Sequence, residues 1–201
     1  MVSGSGTSVD PFILTSLSDL ELIGQSGYAL TAHYKLGSNI DASETQNPSY
    51  NEGAGWLPIQ GEFKGSFDGD GHTISGLYIN RPTTDNVGFF FRLRDNGTVK
   101  NLTISGEIIG QNNVGGISGN NYYGSILNCN FNGTVTGVAA VGGINGRSYP
   151  ASILNTCVFT GTINGASEVG GIVGSYQVYS GSGNVINCQA NGTINATGSY
   201  I

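Results

Sequence analysis

Charge is what this chain has least of. Asp, Glu, Lys and Arg make up 10% of its 201 residues, against roughly a quarter in ordinary soluble domains. Seven Lys and Arg face thirteen Asp and Glu, a net charge of -6. The cations are scattered, with only Arg92 and Arg94 close together, which argues against nucleic acid and anionic membranes as partners. No apolar run approaches the roughly 20 residues of a membrane span, so no membrane insertion is expected. The stretch Met1 to Asp10 has neither a basic nor an apolar segment of a signal peptide and reads as a linker or cloning remnant. With three cysteines, an odd count, at least one thiol has no partner inside the chain. No His-Glu-x-x-His zinc motif occurs, and nothing in the sequence asks for a cofactor.

What the chain has is glycine, 34 residues of it, and a period. Val87-Gly88-Phe89, Val114-Gly115-Gly116-Ile117, Val141-Gly142-Gly143-Ile144 and Val169-Gly170-Gly171-Ile172 recur at intervals of 27, 27 and 28 residues. A fixed period of this size means stacked structural coils. Within a coil apolar and polar residues alternate, as in Cys129-Asn130-Phe131-Asn132, which is strand periodicity. Glycine density opposes helix from Asn86 onward. The expectation is an all-β chain, a right-handed parallel β-helix with three short strands per coil, near 114–118, 126–132 and 134–138 in the second repeat.

Aligned coils give columns. Val99, Ile126, Ile153 and Val185 form one, and asparagines 101, 128, 155 and 187 another. Leu102, Cys129, Cys157 and Cys188 form a third; Ile104, Phe131, Phe159 and Ala190 a fourth. A Gly-x-Ile/Val triplet closes each coil. The alignment places the extra residue of the 28-residue interval at Thr156 and predicts a β-bulge there. Ser180-Gly181-Ser182-Gly183 reads as a surface loop. At Tyr200-Ile201 another repeat would begin, so a longer parent protein is expected, with an uncapped last coil open to end-to-end association.

The front differs. Ser16 to Ile23 has an N-cap and apolar residues at helical spacing, with Gly24 as a stop. Residues 11–62 are read as a cap with one short helix, followed by coils near 63–86, 87–113, 114–140, 141–168 and 169–201.

Phe67-Asp68-Gly69-Asp70-Gly71-His72-Thr73-Ile74, the Val-Gly-Gly-Ile-x-Gly repeats, the Asn-Cys pairs at 128 and 187 and the Gly-Thr-Val/Ile triplets together resemble GLUG-motif repeat proteins. The resemblance covers roughly residues 11–201. It implies a right-handed β-helix within large microbial surface proteins: adhesin-like proteins, S-layer-associated proteins and accessory regions of surface peptidases such as the IgA-cleaving metallopeptidases. It implies no catalytic residue. The first repeat departs from the pattern, with Phe89-Phe90-Phe91 in place of the second glycine and aliphatic residue.

Several groups are candidate sites. The asparagine column, Asn101, Asn128, Asn155 and Asn187, is expected to face inward and bond backbone groups of the next coil. Cys129, Cys157 and Cys188 are expected as free buried thiols, since parallel stacking seldom gives disulfide torsions. Asp68, Asp70 and His72 are weak metal candidates, with a glycine turn as the simpler reading. Tyr122, Tyr149 and Tyr176, spaced by 27 and 27, with Tyr123 and Tyr179 nearby, form a candidate ligand strip or an aromatic ladder. Asn96, Asn101, Asn132, Asn191 and Asn195 head glycosylation sequons that the repeat itself generates, and Asn101 is expected to be buried.

From Thr98 onward only Lys100, Glu107, Arg147 and Glu168 are charged. Glu107 and Glu168 lie about two coils apart, whereas glycoside hydrolysis uses two carboxylates roughly 5–10 Å apart. The expectation is a non-enzymatic extracellular or cell-surface module, adhesin-like or a stalk. Its partners would be a surface glycan or a protein of a host or neighbouring cell. The alternative is an accessory region of a secreted peptidase or polysaccharide-degrading enzyme.

Overall fold

The computed structural model describes residues 2–177 and 183–198. Tyr179, most of the Ser180–Gly183 loop and the start of a further repeat at Tyr200 lie outside these residues.

The chain is all-β, a parallel solenoid of about five turns. In the second repeat the strands are Asn112–Gly115, Ser118–Tyr122, Ser125–Leu127 and Asn130–Thr136. Each pairs in parallel with its equivalent in neighbouring coils. Four sheets therefore run along the stack, called here the entry, return, corner and broad sheets in chain order. The expectation of three strands per coil is corrected to four. Alternation alone read 126–132 as one strand, but Asn128 sits at φ 51° and turns the chain between Leu127 and Asn130. Conversely, 130–136 is one strand running through Gly133, where a Cβ would meet the Gly106 oxygen at 1.9 Å.

The glycine signature records two backbone layers in close approach. A Cβ on Gly119 would lie 2.2 Å from the Asn86 carbonyl carbon, and one on Gly146 2.3 Å from that of Asn113. The return strand thus lies against the entry strand of the preceding coil with no room for a side chain. The second glycine clears an aromatic ring: a Cβ on Gly116 would meet Phe131 at 2.3 Å, and one on Gly143 would meet Phe159 at 2.3 Å. In the first repeat Phe89 replaces that glycine, and the residue paired with Phe131 is the smaller Ile104.

The slip expected at Thr156 is not there. Leu127 pairs with Asn155 and Phe131 with Phe159, without irregularity. Asn121 pairs with Ser148 and Ser125 with Ile153, so the extra residue lies in the turn 149–152. A turn absorbs one residue without inverting the strand that follows, so no bulge is needed. The apolar column shifts accordingly: Leu154, fully buried, follows Val99 and Ile126, while Ile153 points outward at 36% exposure.

The N-terminal region both caps the stack and extends its sheets. Phe12–Leu14 pairs with His33–Leu36, which pairs with Ser66–Asp68 in the corner sheet. Ile40–Asp41 joins the broad sheet and Ile59–Phe63 the return sheet. The helix is a single turn, Leu17–Leu20, with Ser16 and Asp19 forming a reciprocal capping box and Leu17 and Leu20 buried. The segment read as a linker is packed: Ser3 bridges Ile13, and the Gly6 carbonyl accepts a bond from the His33 amide at 2.9 Å. Between cap and stack lies an aromatic core of Tyr34, Trp56, Phe63, Phe67, Phe89 and Phe90. Further along, Phe131 and Phe159 stack at 6.4 Å. The last coil shows its apolar side chains, Val185 at 46% and Ile194 at 43% exposure.

Candidate functional site

The asparagine column faces outward, not inward as expected; Asn128 and Asn187 are exposed and Asn101 and Asn155 half-buried. Its residues occupy a left-handed corner: Asn101 at φ 53°, Asn128 at 51° and Asn187 at 54°. Short polar side chains tolerate this conformation best. Because the register runs through Thr156, the corner residue of the third repeat is Thr156 at φ 56°, and Asn155 stands one place before it. The amides form a ladder in which Asn128 Nδ2 donates to Asn101 Oδ1, and Asn101 Nδ2 to Asp68 Oδ1, both at 3.0 Å. Thr156 interrupts it, and Asn187 Nδ2 donates to Asn155 Oδ1 at 3.5 Å. Asn101, a sequon residue, is held in this ladder and only half-buried.

The three cysteines carry free thiols, Cys129 and Cys157 buried and Cys188 partly so. Each donates to a carbonyl of the preceding coil: Cys129 to Val99, Cys157 to Ile126 and Cys188 to Leu154, at 3.4–3.6 Å. Burial pushes the Cys129 thiol far above its ordinary range and the Cys157 thiol up to about 12. Both are inert, protonated core groups.

Asp68 and Asp70 form a turn secured by ion pairs. Asp68 Oδ1 accepts the Asp70 amide at 2.9 Å, Lys100 pairs with Asp68 at 3.1 Å, and Lys35 with Asp70 at 3.0 Å. Burial pushes the Asp68 carboxyl up, but bonds from Asp70, Asn101 and Lys100 outweigh it and hold the group below its usual value. His72 donates its backbone amide to the Gly69 carbonyl within the same turn. These carboxylates already have partners, which fits the turn.

The tyrosine strip is corrected at one member. Ser148, not Tyr149, pairs with Tyr176, so the outward column reads Arg94, Tyr122, Tyr149, Gln177. The spacing of 27 from Tyr149 misleads because the preceding turn holds the extra residue. Tyr122 and Tyr149 lie 4.7 Å apart, centroid to centroid, and the Arg94 guanidinium covers Tyr122 at 4.5 Å. Tyr123 meets Tyr122 edge-on at 4.4 Å. The Tyr122 ring thus carries the Arg94 guanidinium and packs against the tilted Tyr149 ring, contacts that compete with stacking a sugar on it. Glu62 accepts from Arg94 at 3.0 Å, and Asp95 pairs with Lys64 at 2.8 Å, so the neighbouring charges are matched. The contacts among Arg94, Tyr122, Tyr123 and Tyr149 are those of an aromatic ladder between turns.

Clefts open near the cap. One, about 370 Å³, runs between the helical turn and Trp56–Gln60, where the Tyr50 hydroxyl donates to Glu21. Another, about 410 Å³, lies between the helical turn and residues 39–41. A further one, about 470 Å³, opens where the loop 46–53 overhangs the broad sheet, and Gln46, Tyr78 and Glu107 line it. Tyr78 pairs with Glu107, Glu107 with Thr134, Thr134 with Thr162 and Thr162 with Thr193, one outward row across five coils. The sequence signal for this row was present in the Thr/Asn alternation. The overhanging loop, which has no counterpart in the repeats, hid its starting point.

Fold and repeat chemistry together define a parallel β-solenoid whose coils are glycine-clamped and polar outside. The GLUG motif matches residues 110–136, so the resemblance seen in the repeats holds. Halomucin of Haloquadratum walsbyi is 41% identical over 120 residues, covering 59% of this chain and 1% of that protein. A candidate Gly-rich membrane protein of Evansella cellulosilytica is 32% identical over 129 residues, covering 59% of this chain and 14% of that protein. The chain thus spans a small part of the curated relatives it matches. In fold it is similar to a candidate immunoglobulin A1 protease from Bacteroides ovatus, with TM-score 0.65, 19% identity, 96% of this chain and 69% of that one covered. Among the described residues no helix is long and apolar enough to cross a membrane.

Proposed function

We propose that this chain is a non-enzymatic segment of a larger extracellular or cell-surface protein, a stalk or adhesin-like module that binds along one face. The observation that carries this reading is the scarcity of ionisable groups in the regular coils. Beyond Thr98 the carboxylates are Glu107, on the outer face of the broad sheet, and Glu168, paired with Arg147 at 3.2 Å. Hydrolytic chemistry on a saccharide uses two carboxylates facing one bond, and these two lie on different sheets. The names of the relatives, a mucin-like one and a membrane-associated one, support a surface location. The partner on this reading is a surface glycan or a protein of a host or neighbouring cell.

A second reading has its own support. The fold neighbour is a candidate immunoglobulin A1 protease, so the module can also serve as the scaffold of a secreted peptidase whose catalytic part lies elsewhere.

Two measurements test the proposal. Antibodies raised against this chain should label intact cells that express the parent protein, and protease added outside should remove the label. The purified chain should leave polysaccharides and immunoglobulin A1 uncut. Turnover by the purified chain, or a label seen only after cells are opened, overturns it.

A further inference from the structure

We propose that the outer face of the broad sheet, entered at the Gln46–Tyr78–Glu107 cleft, binds a single chain of an uncharged polysaccharide. The inference rests on reading the chain as a surface module that binds along one face, and it names that face and the ligand class.

The cleft combines three groups that suit a sugar. Tyr78 is half-buried, and no aromatic ring stacks on it among the described residues. Its side chain lines the cleft, where an aromatic ring and a hydroxyl can meet a sugar. Glu107 is its in-register neighbour and an exposed carboxylate able to accept two hydroxyl bonds. Gln46 fixes its amide nitrogen on the Gly76 carbonyl at 3.1 Å, which aims its oxygen away from that bond.

From the cleft the row continues as Thr134, Thr162 and Thr193, one hydroxyl per coil, about 4.8 Å apart. Beside it runs Thr136, Asn164 and Asn195. Asn164 Nδ2 donates to Thr136 Oγ1 at 3.1 Å, and Asn195 Nδ2 to Asn164 Oδ1 at 2.8 Å. These bonds hold the side chains in one orientation before any ligand arrives, which lowers the entropy cost of binding. Glu107 is the only charged side chain on this face from the first repeat onward. Apart from Glu107 and the apolar Ile109 and Val158, this face presents hydroxyls and amides, which matches a ligand of uncharged hydroxyls. Its apolar members, Tyr78, Ile109 and Val158, stand in different rows, whereas the core of a protein interface clusters such anchors.

Affinity electrophoresis of the whole chain through gels containing neutral polysaccharides (a β-glucan, a mannan, a xylan) or anionic alginate tests this. At least one neutral polymer should retard the wild type, and alginate should not. Tyr78→Ala should weaken that retardation at least tenfold, Thr134→Val with Thr162→Val several-fold, and Tyr122→Ala should leave it unchanged. Far-UV circular dichroism checks each fold; should Tyr78→Ala unfold, Glu107→Gln and the paired Thr→Val variant carry the test through their own loss of retardation. Retardation by alginate alone, by no neutral polymer, or lost through Tyr122→Ala while Tyr78→Ala retains it overturns the inference. A chain displayed on cells yet held by no neutral polymer sinks this inference and leaves the surface-module reading standing.

Discussion

Gly146 and Thr156 show what single positions must satisfy in a stack of coils. At Gly146 a Cβ would lie 2.3 Å from the Asn113 carbonyl carbon, a backbone atom that cannot step aside. Gly146→Ala should therefore cost about 3 kcal/mol or more, in the upper range of overpacking. Gly71→Ala is the control: nothing lies within 4 Å of its Cβ, and only its φ of +81° resists, for about 1 kcal/mol. Urea denaturation midpoints measure both, and equal losses would show that close approach is not what the signature encodes. Thr156 presents the opposite case. A β-branched residue at φ 56° is strained, and it breaks the amide ladder between Asn128 and Asn187. Thr156→Asn should raise stability by about 1 kcal/mol, read as a higher urea midpoint with unchanged slope. A lower midpoint would mean that the Thr156 hydroxyl bond to Asn155, at 3.1 Å, matters more than the strain.

The turn 149–152 and the strand after it make the same point for elements. Deleting Ala151, itself at φ 61°, shortens a turn to the length used in the preceding coil. Cooperative melting should survive, within a few degrees of wild type. Deleting Thr156 removes a corner and would send Cys157 and Phe159 to the outer face, so folding should be lost. Circular dichroism melts separate the outcomes, and a cooperative Thr156 deletion would reinstate the slip there. The distinction also explains what was legible in the sequence. The period, the parallel stacking, the cysteine and phenylalanine columns and the capping turn at Ser16 were readable because each repeats or obeys a local rule. The corner register was not, because asparagines were matched by identity, while the structure matches them by backbone conformation. A second left-handed column holds Asn86, Asn113, Ala140 and Glu168, at φ 58°, 55°, 55° and 52°. Four residues of three types leave no compositional trace, so a corner hidden inside the entry strand could not be seen. Tyr176 was misplaced for the same reason, by counting 27 across a turn that holds one more residue. Tyr78 was overlooked as a site because its cleft is made by the irregular loop above it.

Across the whole molecule, charge and burial divide the chain into ends that respond differently to pH. Asp10, Asp19, Glu21, Asp41, Glu44, Glu52 and Glu62 face only Lys35 in residues 1–62, so the net charge of -6 sits there and the rest balances. Several carboxylates in the N-terminal half are held below their usual values. At Asp19 burial raises the group, but bonds from Thr15 and Ser16 outweigh it; at Asp41 the Ser43 amide lowers it, and at Asp95 the bond from Lys64 does. Asp68 belongs with them. A depressed carboxylate stabilises the fold above its ordinary value of 3.8, and that stability is lost as pH falls through the lower folded values. Acid should thus loosen the N-terminal end first. In alkali the sign reverses. Thiols ionise at about 9 when unfolded, while burial holds Cys157 up to about 12 and Cys129 higher, so stack stability is lost as pH rises over that range. Tyr34 and Tyr50, raised chiefly by burial, load the same penalty onto the cap above their ordinary value of 10. The single tryptophan, Trp56, lies buried against Phe89 at 5.5 Å and reports the cap, while far-UV circular dichroism reports the stack. Below about pH 4 the Trp56 emission should shift before the dichroism falls. Above about pH 9 the two should change together, and Cys129→Val with Cys157→Val should move that transition to higher pH. Coincident acid transitions, or an alkaline midpoint indifferent to the two thiols, would show that cap and stack fail as one unit for reasons other than these groups.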